Sequence, residues 1–115
     1  GIIVGTGTKI ERSVIGIRSI IGSNVTIEGS YVMGADWYEI PEHKDYNRKH
    51  QILHIGIGDN TIIKNAIIDK NARIGKNCRI INEKNLQEFS GPNYNIVDGV
   101  IIVHKNATLP DGTVI

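Results

Sequence analysis

Four histidines have the broadest chemical repertoire of any residues in this 115-residue chain. A histidine can act as a general acid or base, and several together can bind zinc. They are His43, His50, His54 and His104. No pair has the spacing expected of metal ligands within a repeat, so we interpret all four as solvated surface residues. We therefore expect neither a catalytic residue nor a metal site among these residues.

Cys78 is the only thiol that could act as a nucleophile. It occupies the same place in a repeated pattern as Val25 and Thr61, which favours a small buried side chain over a reactive one. One cysteine permits no internal disulfide, which fits a reducing compartment.

Basic residues that flank the regular parts of the chain could form an anion site. They are Arg12, Arg18, Lys70, Arg73 and Lys105. Cations that share one face with backbone N–H groups bind phosphate or carboxylate. The formal net charge is only +1, so no general field attracts nucleic acid or a membrane, and we expect neither as a partner. On composition alone, a solvated surface is the simpler explanation of these five residues.

An internal repeat predicts the elements that position these residues. The segment Ile21-Gly22-Ser23-Asn24-Val25-Thr26-Ile27 recurs at 57–63 and at 74–80. An aliphatic residue, a glycine, a short polar run and another aliphatic residue six places on form the hexapeptide pattern of a parallel β-helix. We predict an all-β fold, a left-handed parallel β-helix. It is a hexapeptide-repeat solenoid of three-sided coils, and left-handed coiling is usual for such repeats. Asparagines that recur at the expected corners suit a positive φ, and these are Asn24, Asn60, Asn71 and Asn77.

Two excursions interrupt the repeat. The first, about 34–54, carries Pro41, three aromatic residues and alternating charges, which predict an extruded loop with a short helical turn. The second, about 82–97, contains the turn signal Gly91-Pro92-Asn93. We predict one β-helix domain over residues 1–115 and interpret it as a piece of a longer protein.

Four segments of the chain resemble ADP-glucose pyrophosphorylase, also called glucose-1-phosphate adenylyltransferase. Gly34-Ala35-Asp36-Trp37-Tyr38-Glu39 resembles the Gly-Ala-Asp-Tyr-Tyr-Glu element of that family. Ser13-Val14-Ile15-Gly16-Ile17-Arg18-Ser19 is similar to its Ser-Val-Val-Gly-Ile-Arg-Ser, and Ile67-Ile68-Asp69-Lys70-Asn71-Ala72-Arg73-Ile74-Gly75 to a hallmark of its C-terminal domain. The segment from Lys105 to Ile115 looks like the natural C-terminus of the family.

The resemblance implies a two-part enzyme. In this family an N-terminal nucleotidyltransferase domain, with Mg²⁺, converts ATP and glucose 1-phosphate to ADP-glucose and pyrophosphate for starch or glycogen synthesis. The C-terminal left-handed β-helix helps to assemble a homo- or heterotetramer and carries part of the allosteric control. No cofactor is implied for the β-helix domain itself, and Mg²⁺ belongs to the catalytic domain. The implied location is the plastid stroma or the cytoplasm.

The resemblance also implies an effector site. Lys70 and Lys105 match, by motif, lysines that plant and cyanobacterial members use toward the activator 3-phosphoglycerate. With Arg73 and Arg18 they form our predicted site for a small phosphorylated effector. The chain reads Ile96-Val97-Asp98-Gly99 where family members read Ile-Arg-Ser-Gly or Ile-Lys-Ser-Gly. This departure leaves the identity of the effector open. The sequence also does not distinguish the organism, or a small-type from a large-type subunit.

Two other classes of protein remain open. A stand-alone hexapeptide acyltransferase would need a positioned histidine, and only His104 lies within a predicted coil. A purely structural assembly domain would need no ligand at all.

Overall fold

The computed structural model describes all 115 residues, which form fifteen short strands and one helix. The strands of the first two coils are β1 Ile3–Val4, β2 Lys9–Glu11, β3 Val14–Ile15, β4 Ile20–Ile21, β5 Thr26–Glu28 and β6 Tyr31–Val32. After helix α1 Pro41–Lys49 follow β7 Gly56–Ile57, β8 Ile62–Lys64, β9 Ala66–Ile68, β10 Arg73–Ile74 and β11 Arg79–Ile80. The last strands are β12 Glu88–Ser90, β13 Tyr94–Val97, β14 Val100–Val103 and β15 Thr108–Leu109. The helix is too short to span a membrane.

The strands build a three-walled prism. Wall A contains β1, β4, β7, β10 and β15, wall B contains β2, β5, β8 and β11, and wall C contains β3, β6, β9 and β14. Within each wall neighbouring strands are parallel, and equivalent residues of successive coils pair directly, as Ile27 does with Ile63. The predicted parallel β-helix is therefore confirmed.

The interior is a single cluster of small and branched side chains. It comprises Ile21, Val25, Ile27, Val32, Ile57, Ile63, Ala66, Ile68, Ala72, Ile74, Cys78, Ile80, Ile96, Ile101, Val103, Ala107 and Leu109. Cys78 is fully buried, as its place in the repeat predicts. Thr61, in the equivalent place one coil earlier, donates its hydroxyl proton to the Gly75 carbonyl (2.9 Å) and accepts the Cys78 N–H (3.1 Å). This polar side chain is thus satisfied inside an apolar column.

Residues with positive φ form a column at each corner of the prism. The first corner, between walls C and A, has Arg18, Asn71 and Asn106. The second corner, between A and B, has Gly7, Asn24, Asn60, Asn77 and Gly112, and the third, between B and C, has Arg12, Gly29, Asn65 and Asn82. Asparagine and glycine suit these places because they reach the left-handed region at the lowest cost. The predicted corner role of Asn24, Asn60, Asn71 and Asn77 is confirmed.

Near the second corner the coils approach so closely that only glycine fits. A Cβ added to Gly58 would lie 2.5 Å from the carbonyl carbon of Gly75 in the next coil. The φ of Gly58 is not positive, so the requirement is steric. The glycine of the hexapeptide pattern therefore sets how tightly the coils stack.

The first excursion joins β6 to β7 and contains α1. Pro41 begins the helix, where its missing N–H has no intrahelical partner to lose. Arg48 and Lys49 lie in the last turn, where positive charge is favourable. The predicted helical turn is thus a nine-residue helix.

Glu39 fastens this excursion to the prism. Its Oε1 accepts the Ile55 N–H (2.5 Å), while its Oε2 accepts from the Asn47 amide (2.5 Å) and from Arg73 (3.0 Å). Arg73 also donates to the Leu53 carbonyl (2.7 Å). Burial raises the pKa of the Glu39 carboxyl, but the donors Ile55, Arg73 and Asn47 together hold the pKa below its ordinary value. The Glu39 side chain is only 6% exposed, so we call this group the Glu39 clamp.

The second excursion is more regular than the predicted loop. Strands β12 and β13 form an antiparallel hairpin, and β13 also pairs antiparallel with β14. Gly91-Pro92-Asn93 makes the first turn, and Asp98-Gly99, with φ of +51° and +79°, makes the second. Asp-Gly is a favoured pair in two-residue hairpin turns with positive φ. The departure from the family pattern at Asp98 therefore has a local structural role.

Replacing Gly58 by alanine tests the coil stacking. We expect Gly58→Ala to lower the free energy of unfolding by roughly 3 kcal/mol, because the new methyl group meets backbone rather than a movable side chain. Gly112→Ala is the matched control, since its Cβ would meet nothing within 4 Å and only the positive φ is unfavourable. The control should cost about 1–2 kcal/mol in urea denaturation. Equal losses in the two variants would show that the close approach is not a constraint.

The Glu39 clamp predicts a pH-dependent attachment of the first excursion. Because the pKa of Glu39 is lowered in the folded state, its stabilisation is complete above the unfolded value, about 4.3. The stabilisation is lost as the pH falls through the lower folded value. We expect Glu39→Gln to weaken the attachment by about 2 kcal/mol at neutral pH and to remove this acid transition. Fluorescence of Trp37, the single tryptophan, reports the change between pH 7 and 3. The exposed Glu42→Gln control should titrate like the wild type, and a transition that survives Glu39→Gln would contradict the clamp.

Candidate functional site

Lys70 and Lys105 lie at equivalent places on the first corner. The pairing of Ile68 with Val103 before them, and of Arg73 with Thr108 after them, puts the two lysines in the same register. The Asn106 N–H donates to the Lys70 carbonyl (3.0 Å). Parallel neighbours of this kind are about 4.8 Å apart. The fold thus stacks two lysines that are 35 residues apart in the sequence.

Asp36 is the anion partner of this corner. Lys70 Nζ lies 3.3 Å from Asp36 Oδ1, and the Asn71 amide donates to Asp36 Oδ2 (3.1 Å). The backbone N–H of Asp36 donates in return to Asn71 Oδ1 (2.9 Å). The hydrogen bonds from Asn71 and Lys70, with further attraction from Lys70 and Lys105, hold the pKa of Asp36 below its ordinary value. The carboxylate therefore stays ionised among these groups at neutral pH.

Gly34 explains how Asp36 reaches the corner. It has a φ of +87°, and an added Cβ would lie 2.1 Å from the Ile17 carbonyl oxygen. The Asn71 N–H donates to the Gly34 carbonyl (3.1 Å), so the chain leaves the prism directly beside Asn71. Two residues later Asp36 lies next to Lys70. Glycine is required here because of both the backbone conformation and the contact.

Arg18 belongs to the same corner, two coils before Lys70. It holds the left-handed position equivalent to Asn71, and its Nε donates to the Ala35 carbonyl (2.8 Å). Arg18 also lines a groove of about 240 Å³ with Trp37, Tyr38 and Lys44. The structure therefore brings Arg18 close to the excursion that carries Asp36.

Arg73 begins the strand that follows Lys70, but its guanidinium group already has protein partners. It takes part in the Glu39 clamp, and its side chain is 21% exposed. Of the four predicted effector residues, Lys70 and Lys105 are the pair that the register stacks directly. The two arginines contact the first excursion instead. Arg18 donates to Ala35, and Arg73 donates to Glu39 and Leu53.

The histidines are dispersed. His43 and His50 lie at α1, His54 contacts the Asn47 amide (3.3 Å), and His104 Nδ1 lies 3.2 Å from the Pro92 carbonyl oxygen. The structure has no group of three or more His, Cys, Asp or Glu side chains arranged to hold a metal ion. What the first corner offers chemically is the binding of an anion.

Sequence reasoning misses two participants at this corner, Asp36 and Asn71. The repeat identifies Asn71 only as a corner residue and says nothing of its side-chain amide. Asp36 falls within a recognisable motif, but nothing in the sequence pairs it with Lys70, since the two are 34 residues apart. One signal of the position of Asp36 is present in the sequence. The excursion leaves the prism at Gly34, two residues before Asp36, so Asp36 must lie near the corner.

Comparison with known proteins agrees with this architecture. A family model described as the GLGC left-handed parallel β-helix domain matches residues 1–114. The small subunit of chloroplastic/amyloplastic glucose-1-phosphate adenylyltransferase from Triticum aestivum is 49% identical over 109 residues. That match covers 93% of this chain and 23% of the wheat protein, so the chain spans less than a quarter of its relative. The predicted left-handed coiling and the resemblance carried by the motifs are both confirmed, and the chain belongs to the GLGC left-handed parallel β-helix domain family.

Proposed function

We propose that this chain is the regulatory and oligomerisation domain of a glucose-1-phosphate adenylyltransferase, and that its first corner binds an anionic sugar-phosphate effector. The observation that carries the proposal is the stacking of Lys70 on Lys105 in adjacent coils. In a tetramer the domain would contact both an N-terminal nucleotidyltransferase domain and other subunits.

The catalytic step belongs to the part of the protein outside these residues. There ATP and glucose 1-phosphate would give ADP-glucose and pyrophosphate, in starch or glycogen synthesis. The length of the wheat relative, more than four times that of the matched region, supports such a domain. Mg²⁺ would bind in that domain, as the family resemblance implies. The wheat relative is named as a chloroplastic/amyloplastic protein, which supports a plastid location for this one.

The first corner suits a phosphate group for electrostatic reasons. Two ammonium groups on neighbouring coils can contact different oxygens of one phosphate, and each is a point charge on a flexible stem. Only one carboxylate, Asp36, forms an ion pair with either of them. Arg18 adds positive charge at the same corner, whereas the Arg73 guanidinium is already paired with Glu39. A phosphorylated three-carbon acid such as 3-phosphoglycerate carries more negative charge than the single carboxylate of Asp36.

Effector binding becomes regulation when it favours one of two arrangements of the protein. The first corner is where the first excursion leaves the prism, and the excursion carries exposed aromatic residues, Trp37 and Tyr38. An adjacent domain that packs on this side would sense occupation of the corner. This geometry links the binding site to an interface without a long pathway.

Removing either lysine should weaken effector binding. We expect Lys70→Ala and Lys105→Ala each to raise the Kd for 3-phosphoglycerate about tenfold, the loss of one charge-assisted contact. Isothermal titration calorimetry on the full-length protein, at fixed ionic strength, measures this change. Lys76→Ala is the matched control, since Lys76 is an exposed lysine of the same coil near the second corner, and it should change the Kd less than twofold.

The alternatives give different results in the same experiment. If the wild-type protein binds no phosphoglycerate, or binds it equally well without Lys70 and Lys105, the domain serves assembly alone. Turnover of acyl-CoA that depends on His104 would instead identify an acyltransferase. Sedimentation of each variant shows whether the assembly is unchanged, so that a lost effect is not mistaken for a lost tetramer.

A further inference from the structure

The Asp36 carboxylate marks the place where an anion rests at the first corner. Its two oxygens accept from different groups, with Oδ1 near Lys70 Nζ and Oδ2 bonded to the Asn71 amide. Lys105 is close enough to lower the pKa of this carboxyl as well. One carboxylate thus already contacts the donors that a bound phosphate would need.

Resting on the function proposed above, we propose that Asp36 is an internal ligand of this site. Its carboxylate occupies the anion position in the free protein, and an effector phosphate replaces it. The phosphate then takes Lys70 Nζ and the side-chain amide of Asn71 as donors, together with Lys105. Asn71 is accordingly a binding residue, in addition to its role at the corner.

Exposure and local structure both favour the exchange. Asp36 lies in the stretch between Gly34 and α1, which has no helix or strand. The Asp36 and Lys70 side chains are 38% and 45% exposed, so solvent reaches the ion pair. An exposed pair contributes little free energy and is readily broken. The Glu39 clamp keeps the rest of the excursion attached while Asp36 moves away.

Substitution of Asp36 by asparagine separates the charge from the shape. An asparagine at this position can still accept from the Asn71 amide and donate its backbone N–H to Asn71 Oδ1, so the local fold is kept. Only the competing charge is lost. We expect Asp36→Asn to lower the Kd for 3-phosphoglycerate and for inorganic phosphate about two- to fivefold, in proportion to the strength of an exposed ion pair.

Two controls distinguish competition at Lys70 from a general change of charge. Asp69→Asn removes the same charge one residue from Lys70, where Asp69 accepts only the backbone N–H of Lys70 (2.6 Å). It should tighten binding less than Asp36→Asn does. In a Lys70→Ala background, Asp36→Asn should lower the Kd by a clearly smaller factor than in the wild type, because only the contact with Asn71 is left to be freed.

The outcomes separate this inference from the proposed function. If Lys70→Ala and Lys105→Ala weaken binding but Asp36→Asn does not tighten it, Asp36 is not a competitor and this inference is wrong. If the two lysines have no effect on binding, the proposed effector site fails first. An Asp36→Asn gain that persists unchanged without Lys70 also overturns the inference, since it would then be long-range. Unchanged Trp37 fluorescence confirms that each variant keeps the excursion folded.

Discussion

Direct stacking of equivalent residues in adjacent coils is the constraint on which this structure depends. Because neighbouring strands of each wall are parallel and in register, a residue has its counterpart of the next coil about 4.8 Å away. Inside the prism this produces continuous columns of buried side chains, most of them isoleucine or valine. At the corners the same rule produces columns of asparagine and glycine, and on the surface it places Lys70 beside Lys105. Core, corners and candidate site are thus consequences of one geometric repeat.

The first excursion shows how the protein uses two carboxylates for different ends. Glu39 is almost completely buried and accepts from three different residues, so it acts as a permanent attachment. Asp36, three residues earlier, is exposed and forms its ion pair at 3.3 Å. The neighbouring arginine and lysine follow the same division, since Arg73 is held in the clamp while Lys70 remains accessible. Burial and the number of donors therefore separate a structural charge from an exchangeable one.

The sequence predicts those features that the repeat encodes. The parallel coils, the buried place of Cys78 and the asparagine corners all follow from a periodic pattern of residue types. The excursions cannot be predicted to the same depth, because no period links their residues to the prism. The contacts of Asp36 with Lys70 and of Glu39 with Arg73 each join residues 34 apart, and only the folded excursion brings them together. At β12 and β13 the sequence predicts the turn Gly91-Pro92-Asn93, but the pairing with β14 depends on the second turn at Asp98-Gly99.

The hairpin also determines how the solenoid can grow. Strand β13 lies antiparallel against β14, in the position where wall C would receive the strand of another coil. A solenoid with bare edges can polymerise end to end, because every edge strand presents unpaired N–H and C=O groups. Here that edge of wall C is already occupied by a strand of opposite direction. A second molecule therefore cannot continue the parallel ladder of wall C against β14, and any strand added to this wall would have to pair with β12.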